Sequence, residues 1–143
     1  MFYIKQTLLA IFILLISGCD NKTTDGNIYE YEATTNKAAE SPSGKYLLEI
    51  FMVDTEYRFK IIDIDNKTAF VYDGKPNDFH RRFTTWFIWD EDNKSNDVVW
   101  CYSGDWGTFN WKQNDSGLWE MSSYENGDYS PAEFRKRRPN HYN

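Results

Sequence analysis

The chain of 143 residues reads as an all-β protein, a single antiparallel β-sandwich or open barrel of about seven strands with one short C-terminal helix. Two observations point there. From Lys45 onward, β-branched and aromatic residues gather in short runs, and Asp, Asn and Gly separate the runs at regular intervals. The composition agrees, because 41% hydrophobic and 18% aromatic residues are too many for a disordered chain, while 27% charged residues are too many for a multi-span membrane protein.

Strands are expected over 45–53, 57–64, 68–72, 83–89, 97–103, 108–113 and 118–123. Most of their connections are short enough to join antiparallel neighbours, among them Asp54-Thr55-Glu56, Asp65-Asn66-Lys67 and Asn114-Asp115-Ser116-Gly117. A turn centred on Asp105 and Trp106 places Tyr102 opposite Phe109 and Trp100 opposite Trp111, all on one face of the sheet. Those rings are the expected core, with Cys101 on the other face across from Asn110. Near the end, Ser130-Pro131-Ala132-Glu133 offers an N-cap serine, proline at the first helical position and glutamate three residues after the cap. A short helix through Arg138, stopped by Pro139, follows. The stretch Ser41-Pro42-Ser43-Gly44-Lys45-Tyr46 resembles the strand start of a propeller blade, but at least four blades of about 40 residues close a propeller, and the chain is too short for them.

Ahead of this domain stands a segment of a different kind. One base, Lys5, precedes Leu8 to Ile16, a run of apolar residues well short of the roughly 20 that span a bilayer as a helix. It has the form of a secretory signal. Its end, Ile16-Ser17-Gly18-Cys19, resembles the lipobox of bacterial lipoproteins: an aliphatic residue, two small residues and a cysteine. The resemblance implies that residues 1–18 are a lipoprotein signal peptide, that signal peptidase II cuts before Cys19, and that Cys19 carries a diacylglyceryl group and an acylated amine. With about 0.8 kcal/mol of membrane affinity per buried methylene, several acyl chains hold a protein firmly. Asp20, directly after the cysteine, resembles the inner-membrane retention signal in lipoproteins of enteric bacteria. In overall plan the chain is similar to the small inner-membrane lipoproteins of those bacteria, which implies a place on the inner membrane facing the periplasm. Residues 19–44 then read as the lipidated cysteine and a polar tether, in which 28–32 alternate like an edge strand, and residues 45–143 as the β-rich domain.

Material for catalysis is scarce. The two histidines are His80 and His141, and no phosphate-cradling glycine loop, serine elbow or metal-ligand spacing appears. Neither an enzyme, a cofactor nor a metal is expected. The acidic run Asp90 to Asp97 has oxygen ligands for Ca²⁺ but lacks the loop glycine and terminal glutamate of an EF-hand, so a solvated hairpin loop accounts for it better. Asp63 and Asp65 sit where aspartate bonds to turn backbone. Cys101 reads as a packed core thiol.

Six tryptophans and ten tyrosines exceed the needs of one small core, which makes Trp106 and Trp119 candidates for an exposed aromatic binding patch. The net charge is −6, and four bases stand together at Arg135, Lys136, Arg137 and Arg138, leaving a more acidic body that argues against nucleic acid. That basic cluster suits either contact with anionic lipid or the C-terminal end of a helix dipole. Together these readings give a non-enzymatic, lipid-anchored domain that binds a periplasmic protein, as an envelope accessory, inhibitor or immunity factor. The alternative is a cell-wall glycan-binding module using exposed Trp and Tyr.

Overall fold

In a computed structural model, residues 29–93, 96–125 and 128–142 are described. The signal peptide, Cys19 and Asp20 lie outside the described residues. Ten strands and one helix form in the order β1 (Glu32–Ala33), β2 (Ala39–Glu40), β3 (Tyr46–Val53), β4 (Glu56–Asp63), β5 (Ala69–Tyr72), β6 (Phe79–His80), β7 (Thr85–Trp89), β8 (Val98–Ser103), β9 (Gly107–Gln113), β10 (Trp119–Ser123) and α1 (Ala132–Arg137). The seven longer strands are those expected from the sequence, each within two residues at either end.

They make two antiparallel sheets, facing each other as a sandwich with no closed barrel. One runs β1-β7-β8-β9-β10; the other runs β2-β3-β4-β5, with β6 sharing the free side of β4 beyond β5. Hydrophobic alternation explains the pairing. Leu48 and Ile50 of β3, Phe59 and Ile61 of β4, Phe87 and Trp89 of β7, Val99 and Cys101 of β8, and Phe109 and Trp111 of β9 all enter one core between the sheets. At its centre Trp111 meets Phe59 edge-on with ring centroids 4.9 Å apart and Tyr72 at 5.1 Å. Both are favourable aromatic geometries.

Residues 29–44 belong to this unit rather than to a tether reaching Gly44. Glu32 and Ala33 pair with Ile88 and Phe87, Ala39 and Glu40 pair with Leu48 and Leu47, and both alanines are buried. Small side chains there let two short strands lie close over the core, and the indole N–H of Trp89 donates to the Ala39 carbonyl at 2.9 Å.

The β8–β9 register differs from the expected one by a single residue. The loop is Gly104-Asp105-Trp106, closed by the pair Ser103 and Gly107, so Cys101 lies opposite Phe109, Trp100 opposite Asn110 and Val99 opposite Trp111. Backbone chemistry at the turn goes with it: Gly107, the residue that closes the loop, has φ of 92°, a left-handed conformation that glycine adopts without steric cost. A slip of one exchanges the faces of every side chain. Trp100 and Tyr102 therefore leave the inter-sheet core for the outer face of the sheet, while Cys101, expected across from Asn110, is buried between the sheets.

On that outer face lies a second apolar cluster of Ile88, Val98, Trp100, Tyr102, Phe134 and Tyr142, covered by the C-terminal segment. The helix begins one residue later than the sequence suggests. Pro131, with ψ of 145°, is the cap, its carbonyl accepts from Phe134 N at 3.0 Å, and no side chain caps the helix. Ser130 is buried one position too early for a capping box, and Glu133 instead accepts from Arg137 Nε at 2.8 Å.

Candidate functional site

The site most suited to recognition lies where the sandwich is open, between its free edges β5 and β10. A groove of about 310 Å³ is lined there by Tyr46, Ile61, Asp63, Phe70, Leu118 and Trp119, among others. Each wall has a local cause. Trp119 and Met121 of β10 turn inward and pack against the inter-sheet core, Trp119 edge-on to Tyr46 at 5.3 Å and tilted against Trp89 at 6.2 Å. Strand alternation then sends Leu118 outward, where it is 64% exposed, the most exposed of the large hydrophobic residues among those described. The turn before it is fixed: Asn114 Oδ1 accepts from Ser116 N at 2.9 Å and Leu118 N at 3.0 Å, and Gln113 Nε2 donates to the Gly117 carbonyl at 3.0 Å. Leu118 is thus presented on a rigid support rather than left on a loose loop.

Among the described residues that line the groove, Asp63 is the one carboxylate. Its pKa is held below the ordinary range by the backbone and side-chain amides of Asn66, with Asp65 N also donating at 3.0 Å. These bonds are the turn role expected for Asp63. Lys67 turns back to donate to the Ile64 carbonyl, and on the neighbouring strand pair Glu120 lies opposite Lys112 and accepts from Asn114 Nδ2 at 2.6 Å. A polar cleft of about 640 Å³, lined by Lys45, Asn93, Asp97, Lys112 and Asp115, lies on the other side of Tyr46 and Gln113. The Tyr46 hydroxyl donates to Gln113 Oε1 at 3.0 Å and forms the wall between the two.

The aromatic candidates do not meet. Trp119 is half-buried in the groove, whereas Trp106 is 51% exposed in the β8–β9 loop, with its indole N–H donating to the Asp78 carbonyl at 2.9 Å. The length of β9 separates them, roughly 20 Å at ~3.4 Å per residue. No flat platform of two rings results.

The basic cluster is largely consumed by the fold. Arg137 forms two bonds to the Glu32 carboxylate, at 3.1 and 2.6 Å, and its guanidinium lies 5.0 Å from the Trp86 ring centroid. Arg138 covers the Tyr102 ring and donates to its hydroxyl; Arg135 donates to the Ser130 carbonyl. Lys136 points outward, with its side chain 78% exposed. These contacts fasten the C-terminal helix to the sheet.

At the two ends of the run Asp90 to Asp97, aspartates are held by the fold rather than left to solvent. Asp90 is 1% exposed and accepts from the Trp100 indole at 3.3 Å, the Tyr129 hydroxyl at 3.0 Å and Asp92 N at 3.2 Å. Burial raises its pKa. Asp97 bonds Ser43 from the opposite sheet. Among the described residues no group of His, Cys, Asp and Glu is arranged to hold a metal ion. Cys101 is fully buried, which pushes its thiol far above the ordinary range and away from reactivity.

Sequence reasoning missed Leu118 and the edge groove. The signal was there, since Leu118 is out of phase with the inward pair Trp119 and Met121, and an apolar residue on the polar phase of a strand asks for a partner. Compared with known proteins, the sequence matches no family model and no curated protein, and no solved structure matches it.

Proposed function

We propose that this protein is a lipid-anchored, non-enzymatic domain, held at Cys19 on the periplasmic face of the inner membrane, which binds a protein partner as an envelope accessory, inhibitor or immunity factor. The observation that carries the reading is the use made of the aromatic rings. Trp89, Trp100 and Trp111 are buried and Trp86 and Trp119 half-buried against the two clusters, so most of the apparent surplus goes into packing. What remains outside is Trp106, in its own loop, and a largely apolar groove between two sheet edges. Such a groove suits a polypeptide better than a sugar ring, which stacks on a flat exposed aromatic face.

Crosslinking in intact cells followed by identification of the attached molecule tests this reading. A single periplasmic or membrane protein is the expected adduct; recovery of wall glycan alone overturns it. The exposed ring of Trp106 favours the glycan alternative, and retention of the protein on purified wall material, lost in Trp106→Ala, would establish that instead.

The anchor is tested separately. Cys19→Ser is expected to leave an uncleaved, unlipidated precursor, and Asp20→Ser to shift the protein from the inner- to the outer-membrane fraction of a density gradient. Normal maturation of the first variant, or native protein found in the outer membrane, contradicts this part of the proposal.

A further inference from the structure

We infer that the two ends of the domain close on each other as a latch, in which Arg137 couples residues 29–33 to the C-terminal cover, so that opening of either one loosens the other. The inference concerns the closing of the fold and stands independently of the protein-binding reading.

Neither end holds itself. Among the described residues β1 is two residues long and pairs only with β7, at Glu32–Ile88 and Ala33–Phe87, while α1 has six residues and no side-chain cap. A helix this short is unstable alone in water, and so short a strand gains few backbone bonds. Ala33 and Tyr31 rest on the inter-sheet core, and the other side of the segment meets the cover.

The two meet chiefly through Arg137. Its guanidinium lies over the Trp86 ring and reaches both oxygens of Glu32, at 3.1 Å from Nη1 and 2.6 Å from Nη2, while Nε donates to Glu133 at 2.8 Å. All three charged side chains are largely shielded from water, so the two-pronged pair is stronger than one at the surface, and removing a single member leaves the others poorly matched. Tyr29 makes a second link. It packs against the outer cluster that holds Phe134 and Tyr142, and its hydroxyl is bonded to Glu91; burial, with Glu91 and Glu133 beside it, raises its pKa.

A contact that exists only when both segments are docked is lost whichever of them leaves, and the coupling has the same size in both directions. Opening would free one side of β7 and uncover Trp86, Trp100 and Tyr102, the rings on which Phe134 packs. The chain leading from Cys19 enters the domain at Tyr29, so a displacement of the N-terminal segment is felt at the opposite end of the sequence.

Native-state hydrogen exchange of the full-length protein in non-ionic detergent tests the coupling. The Arg138 amide, bonded to the Phe134 carbonyl at 2.9 Å, reports the cover; the Trp89 amide, bonded to the Tyr31 carbonyl at 2.9 Å, reports the N-terminal segment; Phe59 and Ile61 in β4 report the sandwich. In the native protein Trp89 is expected to be less protected than the β4 pair. Glu32→Gln should lower protection at Arg138 about fivefold or more, and Phe134→Ala, a change within the cover, should lower it at Trp89 by a similar factor. With Arg137→Gln already in place, Glu32→Gln should cause no further loss at Arg138, because the link is gone. Persisting protection at Phe59 and Ile61 verifies that each variant is folded, and either variant alone tests its own direction. Protection at Trp89 equal to that of β4 would overturn the inference by making residues 29–33 part of the sandwich. So would a Trp89 amide indifferent to Phe134→Ala, an Arg138 amide indifferent to Glu32→Gln, or full additivity of the two Gln variants.

Discussion

The central sheet β1-β7-β8-β9-β10 is covered on both faces, and the two coverings are made differently. Between the sheets the contacts are almost wholly apolar, with Phe59, Phe79, Trp89 and Trp111 essentially inaccessible to water and the Trp89 indole satisfied by one carbonyl. On the outer face the rings carry polar attachments: Trp100 and Tyr129 on Asp90, Thr108 bonded to the Tyr142 hydroxyl at 2.6 Å, and Arg137 and Arg138 lying over Trp86 and Tyr102. The first layer is held by area removed from water. The second is pinned through ion pairs and hydrogen bonds that depend on salt and pH. The C-terminal segment is thus a fastened cover over an otherwise complete sandwich, and it accounts for aromatic residues that one core could not use.

If that contrast holds, substitutions in the two layers differ in size and in kind. The largest effect is expected for Trp111→Ala, which empties the middle of the inter-sheet core and should cost about 3 to 5 kcal/mol of global stability in urea unfolding. Phe134→Ala should cost less, roughly 2 to 3 kcal/mol, although Phe134 is equally buried. The reason is that the cover can detach, which limits the loss to the free energy of its docking. A Phe134→Ala loss equal to that of Trp111→Ala would mean the layers are one cooperative unit.

The smallest effect concerns pH. Asp90 has a raised pKa in the fold, so the folded chain holds its proton more tightly than the unfolded one. Its contribution to stability is therefore greatest at low pH and is lost as pH climbs from the ordinary carboxylate value of about 4 through the raised value. Asp90→Asn should flatten that part of the stability curve while leaving the helix docked through Arg137. An unchanged slope in the variant would show that the carboxyl is not buried as described.

The layers were also unequally legible from sequence. Strand positions could be read because period-two alternation and Asp, Asn and Gly turns are local signals, and these set β3 to β5 and β7 to β10 within two residues. The faces of β8 could not, because they depend on whether the turn holds two or three residues, and that is set by the closing pair Ser103 and Gly107. That one-residue shift reassigned Trp100, Cys101 and Tyr102. The roles of Glu32 and Arg137 were hidden for another reason: the pair spans most of the chain, and a base in a cluster at the end of a sequence shows no sign of its partner. At the groove, Leu118 was visible as an apolar residue out of phase, but the free edge beside it is a property of the sheet order and of no single residue.

Amide hydrogen exchange of the native protein tests the two-layer account most directly. The amides of Arg135 and Arg138, bonded to the carbonyls of Pro131 and Phe134, report on the cover; those of Phe59 and Ile61 in β4 report on the sandwich. The cover is expected to open at a free energy well below that of β4, and raising the salt concentration should lower its protection without changing that of β4. Equal opening energies at both places, with the same response to salt, would contradict the account.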